Sequence, residues 1–264
     1  MKIELYFNAS QTDELQFRDR VVVVIDVLRS NTTIATALSN GAKEVIPVTS
    51  VESAVKIGDN LFGDVTLLGG ERNGKPIEGF NLGNSPFEYS ETIVKGKSII
   101  FHSSNGSQAV VKGRRGKKVV LAAFVNISRV VDFLKTSGGP VTFLCAGSLN
   151  DGFSIEDALC GGMVISRIIE KKIDVELSDA SLTALTLYKS LGKNILKALR
   201  ASENGRFLIG LGFENDVKFC AGMDTVPVLP VLEGNILRRY DDSMKPGKGS
   251  ANSDAPDKAD TANG

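Results

Sequence analysis

The 264-residue chain is 42% hydrophobic and 23% charged, enough apolar content to bury a substantial core in one large α/β domain (1–240) or in two lobes divided near residue 150. Lys+Arg and Asp+Glu both number 31 and the formal net charge is zero, so the chain carries no electrostatic footprint for nucleic acid or an acidic membrane surface. It has no apolar run long enough to span a bilayer and no N-terminal signal pattern, and its three scattered cysteines, Cys145, Cys160 and Cys220, read as reduced, buried thiols of a cytoplasmic protein.

From Arg20 to Ser148 short Val/Ile-rich runs alternate with amphipathic segments. Val21–Leu28 is an almost wholly apolar strand, and Asn31–Asn40 a helix that Gly41 ends. Glu44–Val48 is a strand, Val51–Phe62 a helix with apolar positions at helical spacing, and Val65–Leu68 a buried strand. Further strands are expected at Lys97–Ser103, Lys118–Phe124 and Val141–Cys145, with helices at Gly106–Lys112 and Ile127–Lys135. Such alternation implies a three-layer α/β/α fold with a largely parallel or mixed sheet. Later, Ile155–Lys171 reads as a long helix in which Gly161-Gly162 permits close packing. Ser178–Leu211 is helical with a break near Ser202–Gly205, and strands are expected around Val217–Cys220 and Val226–Val231. From Asp241 to Gly264 the chain lacks apolar periodicity and is expected to be a disordered tail.

The stretch Gly69–Pro86 concentrates the polar chemistry. It follows a buried strand and sets Glu71, Glu78, Arg72, Lys75, Asn73, Asn81 and Asn84 among repeated glycines. A long charged loop at a strand end is where an α/β protein usually builds a site. Three strand ends share a second theme: after Asp26, His102 and Cys145, polar residues lead into a helix start. Free N–H groups and the helix dipole there favour anions, although the same residues serve as ordinary N-caps.

Several devices are excluded. Gly69–Lys75 matches the first part of a P-loop, but Pro76 replaces the magnesium-binding hydroxyl and no helix follows. Cys145 has Asp151 six positions on, where a cysteine phosphatase needs an arginine. His102 is the only histidine, which removes phosphohistidine chemistry and a His-rich zinc site. Carboxylates remain, and oxygen-rich sites favour Mg²⁺. Asp26 ends an apolar strand, so its charge needs a partner or a metal. Arg29 could hold a phosphate with its planar fork, or could brace a loop by pairing with Asp26. Glu71-Arg72 repeats the pairing at another strand end. Asp26-Val27-Leu28 lacks the second Asp of the haloacid-dehalogenase signature, which favours a metal-activated water and leaves an Asp26 phosphoenzyme as the alternative. Glu156-Asp157 sits in a first helical turn and could serve only the dipole.

Ile25–Thr33, Leu68–Gly74, Gly79–Pro86, Ser104–Ser107, Leu144–Ser148 and Phe153–Gly162 together resemble the 2-phosphosulfolactate phosphatases, in order over roughly residues 1–235. The resemblance implies a Mg²⁺-dependent phosphomonoesterase that converts (2R)-2-phospho-3-sulfolactate to (2R)-3-sulfolactate and phosphate, a step of coenzyme M biosynthesis. Departures from the family pattern are Ser30-Asn31 for Ala-Thr, Ser104 and Ser107 for threonines, and Asn204 where a histidine is usual. Asn204 can donate but not titrate.

On this reading Asp26, Glu71 and Glu78 face Mg²⁺. Arg29, Arg72, Asn105 and the helix-start amides near Asn31 and Gly106, with Ser104 beside them, bind phosphate oxygens, and Asn81, Asn84 and Ser85 orient the carboxylate or sulfonate. The expected partner is a small anionic phosphorylated substrate, and a homo-oligomer stays open. Other readings are a phosphatase for another small phosphorylated 2-hydroxy acid, a non-catalytic binder of small anions, and an interaction protein working through its tail.

Overall fold

A computed structural model describes residues 1–60, 65–148 and 152–241. The expected tail beyond Asp241, the far end of the Val51–Phe62 helix and Asp151 lie outside the described residues. The strands are β1 (Lys2–Tyr6), β2 (Val21–Ile25), β3 (Glu44–Val48), β4 (Thr66–Arg72), β5 (Lys75–Pro76), β6 (Ser98–His102), β7 (Lys118–Ala122), β8 (Val141–Cys145), β9 (Glu176–Leu177), β10 (Pro230–Glu233) and β11 (Ile236–Arg239). The helices are α1 (Ser30–Ser39), α2 (Val51–Asn60), α3 (Glu91–Val94), α4 (Gly106–Gly113), α5 (Ile127–Ser137), α6 (Ile155–Glu170), α7 (Asp179–Leu191), α8 (Ile195–Ala201), α9 (Glu203–Gly210) and α10 (Glu214–Cys220).

The sheet runs in the order β5-β4-β6-β3-β11-β10-β7-β2-β8-β1-β9. It has two parallel arms, β4-β6-β3 and β7-β2-β8-β1-β9. Between them lies the β10–β11 hairpin, which is antiparallel to both β7 and β3. Three antiparallel pairings in succession give the arms opposite senses along the sheet. A twist of roughly 20–25° per strand accumulates over the six steps from β2 to β4 and swings the carboxyl ends of the arms toward one another.

Period-two alternation shows how the layers form. On β2, Val21, Val23 and Ile25 join one core with Val130 and Leu134 of α5 and Leu159 and Met163 of α6. Val22 and Val24 face the opposite core, built with Val45, Ile99 and Phe101 from the other arm, Ile34 and Leu38 of α1, and Ala109 and Val110 of α4. On the far side of β3 and β6, Val48, Ile100 and Ala54 of α2 form a further layer. The architecture is a three-layer α/β/α sandwich around a mixed, mostly parallel sheet, as the apolar runs imply.

Helix α1 is buried along nearly its whole length, and its threonines fit because their hydroxyls bond backbone carbonyls: Thr32 to Val27, Thr33 to Asn84, Thr36 to Thr32. It ends as expected at Gly41, whose φ of 87° allows the N–H groups of Gly41 and Ala42 to bond Leu38 and Ala37. In α6, a Cβ on Gly162 would lie 2.0 Å from the Ala184 carbonyl oxygen, so α7 packs directly on that glycine.

Three expectations change. Val65–Leu68 extends to Arg72, because Gly69-Gly70 continues the strand rather than opening a loop. At Gly70 a Cβ would meet the His102 carbonyl oxygen at 1.8 Å, and φ is 130°. Arg72 pairs with Lys75 across Asn73-Gly74, whose φ values of 53° and 75° are those of a type I′ hairpin turn. Val217–Cys220 is helical, within α10; Val217 and Cys220 are buried one turn apart, and an apolar run this short cannot be assigned by periodicity alone. Val226–Val231 becomes a strand only at Pro230, and its partner β11 follows after a two-residue turn.

Candidate active site

The end of β2, the turn of the β4–β5 hairpin and the starts of α4, α6 and α9 together line a cavity of about 150 Å³. Each contributes polar groups because an apolar strand has just ended or a helix is about to begin.

Asp26 is 7% exposed. Its Oδ1 accepts the Ser30 N–H at 3.3 Å, while Oδ2 faces Gly106 at the start of α4. A Cβ on Gly106 would sit 2.2 Å from that oxygen, so glycine lets α4 approach the carboxylate. Burial pushes the Asp26 carboxyl up to about 7; bonds from Ser30 oppose the rise, and the charges of Glu71 and Glu156 add to it. Asp157, in the first turn of α6, is raised well above the usual range by burial and then by the charges of Asp26 and Glu156. Its Oδ1 accepts the Val27 N–H at 2.9 Å. Burial also raises Glu156, which accepts from the Asn204 amide at 3.2 Å.

Glu71 closes the hairpin end of the cavity. Its carboxylate accepts the N–H groups of Gly74 at 2.6 Å and Ser104 at 2.7 Å, and the Ser104 hydroxyl at 3.3 Å. These fill three of its roughly four lone-pair positions, so Glu71 braces the hairpin turn against the β6–α4 loop.

Arg29 is 2% exposed and lines the cavity, but it does not pair with Asp26. Its Nη1 donates to Asp216 Oδ2 at 2.6 Å and its Nη2 to the Gly74 carbonyl at 2.8 Å. The guanidinium lies 4.2 Å from the centre of the Phe213 ring.

Asp26, Arg29, Glu71, Asn84, Ser104 and Asn105 are therefore brought together, with Gly106 against Asp26. The remaining candidates lie elsewhere. Asn31 is buried, and its amide donates to the Val24 and Ala122 carbonyls. Its backbone N–H bonds the Asp26 carbonyl. Ser85 donates to Asp216 Oδ1 at 2.9 Å. Asn81 accepts the Leu68 N–H at 2.8 Å. Arg72 and Glu78 are exposed, and neither is among the cavity-lining residues. Asn84 and Asn31 each have a buried side-chain oxygen with no hydrogen-bond partner among the described residues, and of the two only Asn84 lines the cavity.

Asp157, Glu203 and Asn204 complete the wall, with Phe207 and Leu208 as its apolar part. Asp216 stands behind Arg29. The position of Asp157 in a first helical turn was a visible signal, and Glu203 adjoins Asn204 in a block that the family resemblance covers; Asp216 carried none.

Among the described residues, no group of three or more His, Cys, Asp or Glu side chains is arranged to hold a metal ion. The donor set nevertheless suits an oxygen-seeking divalent cation: Asp26 and Asp157 are desolvated carboxylates on one cavity and repel each other. Mg²⁺ is typically held by one or two carboxylates, with water and phosphate oxygens completing its shell. No helix among the described residues is long and apolar enough to cross a membrane.

A family model described as 2-phosphosulpholactate phosphatase matches residues 6–235. A protein of Caldanaerobacter subterraneus named "Probable 2-phosphosulfolactate phosphatase" is 37% identical over 242 residues, covering 92% of this chain and all of the relative. Relatives of the same name from Clostridium botulinum and Clostridium acetobutylicum are each 34% identical, over 89% and 90% of this chain and 98% and 100% of their own length.

Proposed function

The chain belongs to the 2-phosphosulpholactate phosphatase family, a family of phosphoric monoester hydrolases, and on that footing we propose that it hydrolyses (2R)-2-phospho-3-sulfolactate to (2R)-3-sulfolactate and phosphate in a Mg²⁺-dependent reaction. The observation that carries the metal requirement is the charge imbalance of the cavity. Asp26, Glu71, Asp157 and Glu203 line it, and Arg29 is the only lysine or arginine among the described lining residues. Asp216 offsets even that charge. A substrate bearing phosphate, carboxylate and sulfonate would be repelled by such a wall unless a cation accompanied it.

Asp26 and Asp157 would hold that cation. Bound there, Mg²⁺ supplies the positive charge that offsets the carboxylates and the charge developing on the transferring phosphoryl group. The chain's own groups act by positioning. Arg29 offers its remaining N–H donors, in a planar fork, to phosphoryl oxygens. Asn84, with its unpartnered oxygen, and Asn105 orient the rest of the substrate. Phe207 and Leu208 supply the apolar wall that limits water around the reacting group. Placement of the reaction in coenzyme M biosynthesis belongs to the same proposal and rests on the family resemblance.

The test is phosphate release from racemic 2-phospho-3-sulfolactate and from phospholactate, each with Mg²⁺ and with EDTA, for wild type and Asp26→Asn. Mg²⁺-dependent release that prefers the sulfonate and is lost in the variant supports the proposal. Equal rates on the two substrates would favour the second reading, a phosphatase for small phosphorylated 2-hydroxy acids in general. The scarcity of cations in the wall speaks for that reading. Release undiminished by EDTA would sink the metal requirement.

A further inference from the structure

Four segments far apart in the chain meet at one guanidinium. Arg29 stands at the start of α1, Gly74 in the turn of the β4–β5 hairpin, Ser85 in the loop beyond it, and Asp216 in α10. Asp216 is 3% exposed and uses both oxygens: Oδ2 accepts from Arg29 Nη1 at 2.6 Å and Oδ1 from the Ser85 hydroxyl at 2.9 Å. The Gly74 carbonyl takes Nη2 at 2.8 Å, and the Phe213 ring, three residues before Asp216, lies 4.2 Å from the guanidinium. Two of the fork's five donors are thereby committed to protein. Its plane is fixed from three sides, while the residue still lines the cavity. A buried arginine needs one carboxylate for its charge; the hydroxyl that in turn fixes that carboxylate's rotation is a feature of orientation.

We propose that Asp216 is a positioning residue of this site, acting through Arg29: with Ser85 it sets the guanidinium plane so that the uncommitted N–H donors meet the phosphoryl oxygens of the substrate. The inference rests on the reading that Arg29 contacts the substrate. Asp216 itself touches no reacting atom.

The experiment is a double-variant cycle on the full chain with Mg²⁺: wild type, Asp216→Asn, Arg29→Lys and both together. Phosphate release from 2-phospho-3-sulfolactate and competitive inhibition by inorganic phosphate are read, with circular dichroism for folding. Asp216→Asn is expected to lower kcat/KM about a hundredfold, the scale of a misplaced catalytic contact, and to raise the phosphate inhibition constant about tenfold. Both losses should shrink to less than about threefold in the Arg29→Lys background, because residues acting as a unit are not additive. Asp216→Glu should recover part of the loss. If Asp216→Asn does not fold, Ser85→Ala leaves the ion pair intact and should give a smaller loss with the same collapse in the Arg29→Lys background.

Losses that multiply in the double variant, or wild-type kinetics in folded Asp216→Asn, overturn the proposal. Wild-type protein that binds phosphate (read directly by calorimetry) but releases none from the substrate refutes the proposed reaction instead, and the phosphate arm of the cycle still decides the role of Asp216. Wild-type protein that does neither overturns both.

Discussion

Replacing Asp26 by asparagine removes one charge from a buried carboxylate cluster without changing its shape. In the metal-free protein the Asp26 carboxyl sits at about 7 against an ordinary value of 3.8. Between those values the folded state keeps a proton that the unfolded chain has released, so the group's contribution to stability is complete below about pH 4 and is lost as pH rises through 7. At about 1.4 kcal/mol per pH unit the gap corresponds to about 4 kcal/mol. The charge of Asp26 adds to the rise of Asp157 that burial causes, so the asparagine also relieves the repulsion on Asp157. Urea unfolding in EDTA at pH 5 and pH 8 reads the effect. Wild type should lose stability across that interval, and Asp26→Asn should lose less and be the more stable protein at pH 8. With saturating Mg²⁺ at pH 8 the order should reverse, since the variant has lost a ligand. A variant that is less stable than wild type at pH 8 in EDTA, with an unchanged slope, would refute the elevated carboxyl.

Gly106→Ala places a methyl group 2.2 Å from Asp26 Oδ2 and 2.7 Å from the Ser30 hydroxyl. Crowding of that kind costs about 1–3 kcal/mol, and steady-state assays should show activity down about a hundredfold; near-wild-type turnover would mean that α4 need not approach Asp26 so closely. Asn84→Ala removes a buried amide oxygen that no described residue satisfies. Stability should change by less than about 1 kcal/mol, whereas KM should rise about tenfold, because the lost bond is one made with the substrate; a large drop in Tm with unchanged KM would assign Asn84 to the scaffold. Arg72→Ala and Glu78→Ala alter exposed side chains outside the cavity wall. Each should keep kcat/KM within about threefold of wild type, and a loss beyond tenfold would restore them to the site.

The fold class was legible because β2, β3, β6, β7 and β8 are short apolar runs bounded by turn residues, and only a covered sheet buries such strands on both faces. The arrangement of the two arms was not. It depends on where the β10–β11 hairpin inserts, and nothing local in Pro230–Arg239 names β7 and β3 as its neighbours. Gly69-Gly70 misled because glycine ordinarily weakens a strand, whereas here the missing Cβ is what lets β4 lie against His102. In the site, Asp26, Arg29, Glu71, Ser104 and Asn105 could be singled out as polar residues where apolar strands end. Asp216 could not, since its partners lie 187 and 131 positions away and the residues that follow it, Val217–Cys220, read as a strand.

Asp26 also shows how a correct local inference can assign the wrong partner. A carboxylate ending an apolar strand does need compensation, and Arg29 three residues later was the natural donor. In the structure Arg29 is committed to Asp216, so compensation for Asp26 falls to the Ser30 bonds, to protonation, or to a cation that comes with the ligand. An acidic wall and an anionic substrate are complementary only through a charge they share. Cation and phosphate should therefore bind with positive coupling, and linkage makes the factor the same in both directions. Calorimetric titration of Mg²⁺ at pH 8 should give an affinity raised about five- to a hundredfold by saturating inorganic phosphate, the ordinary range of coupling between sites. Equal Mg²⁺ affinity with and without phosphate would mean that the cation is held by the protein alone, and the charge imbalance of the cavity would then need another explanation.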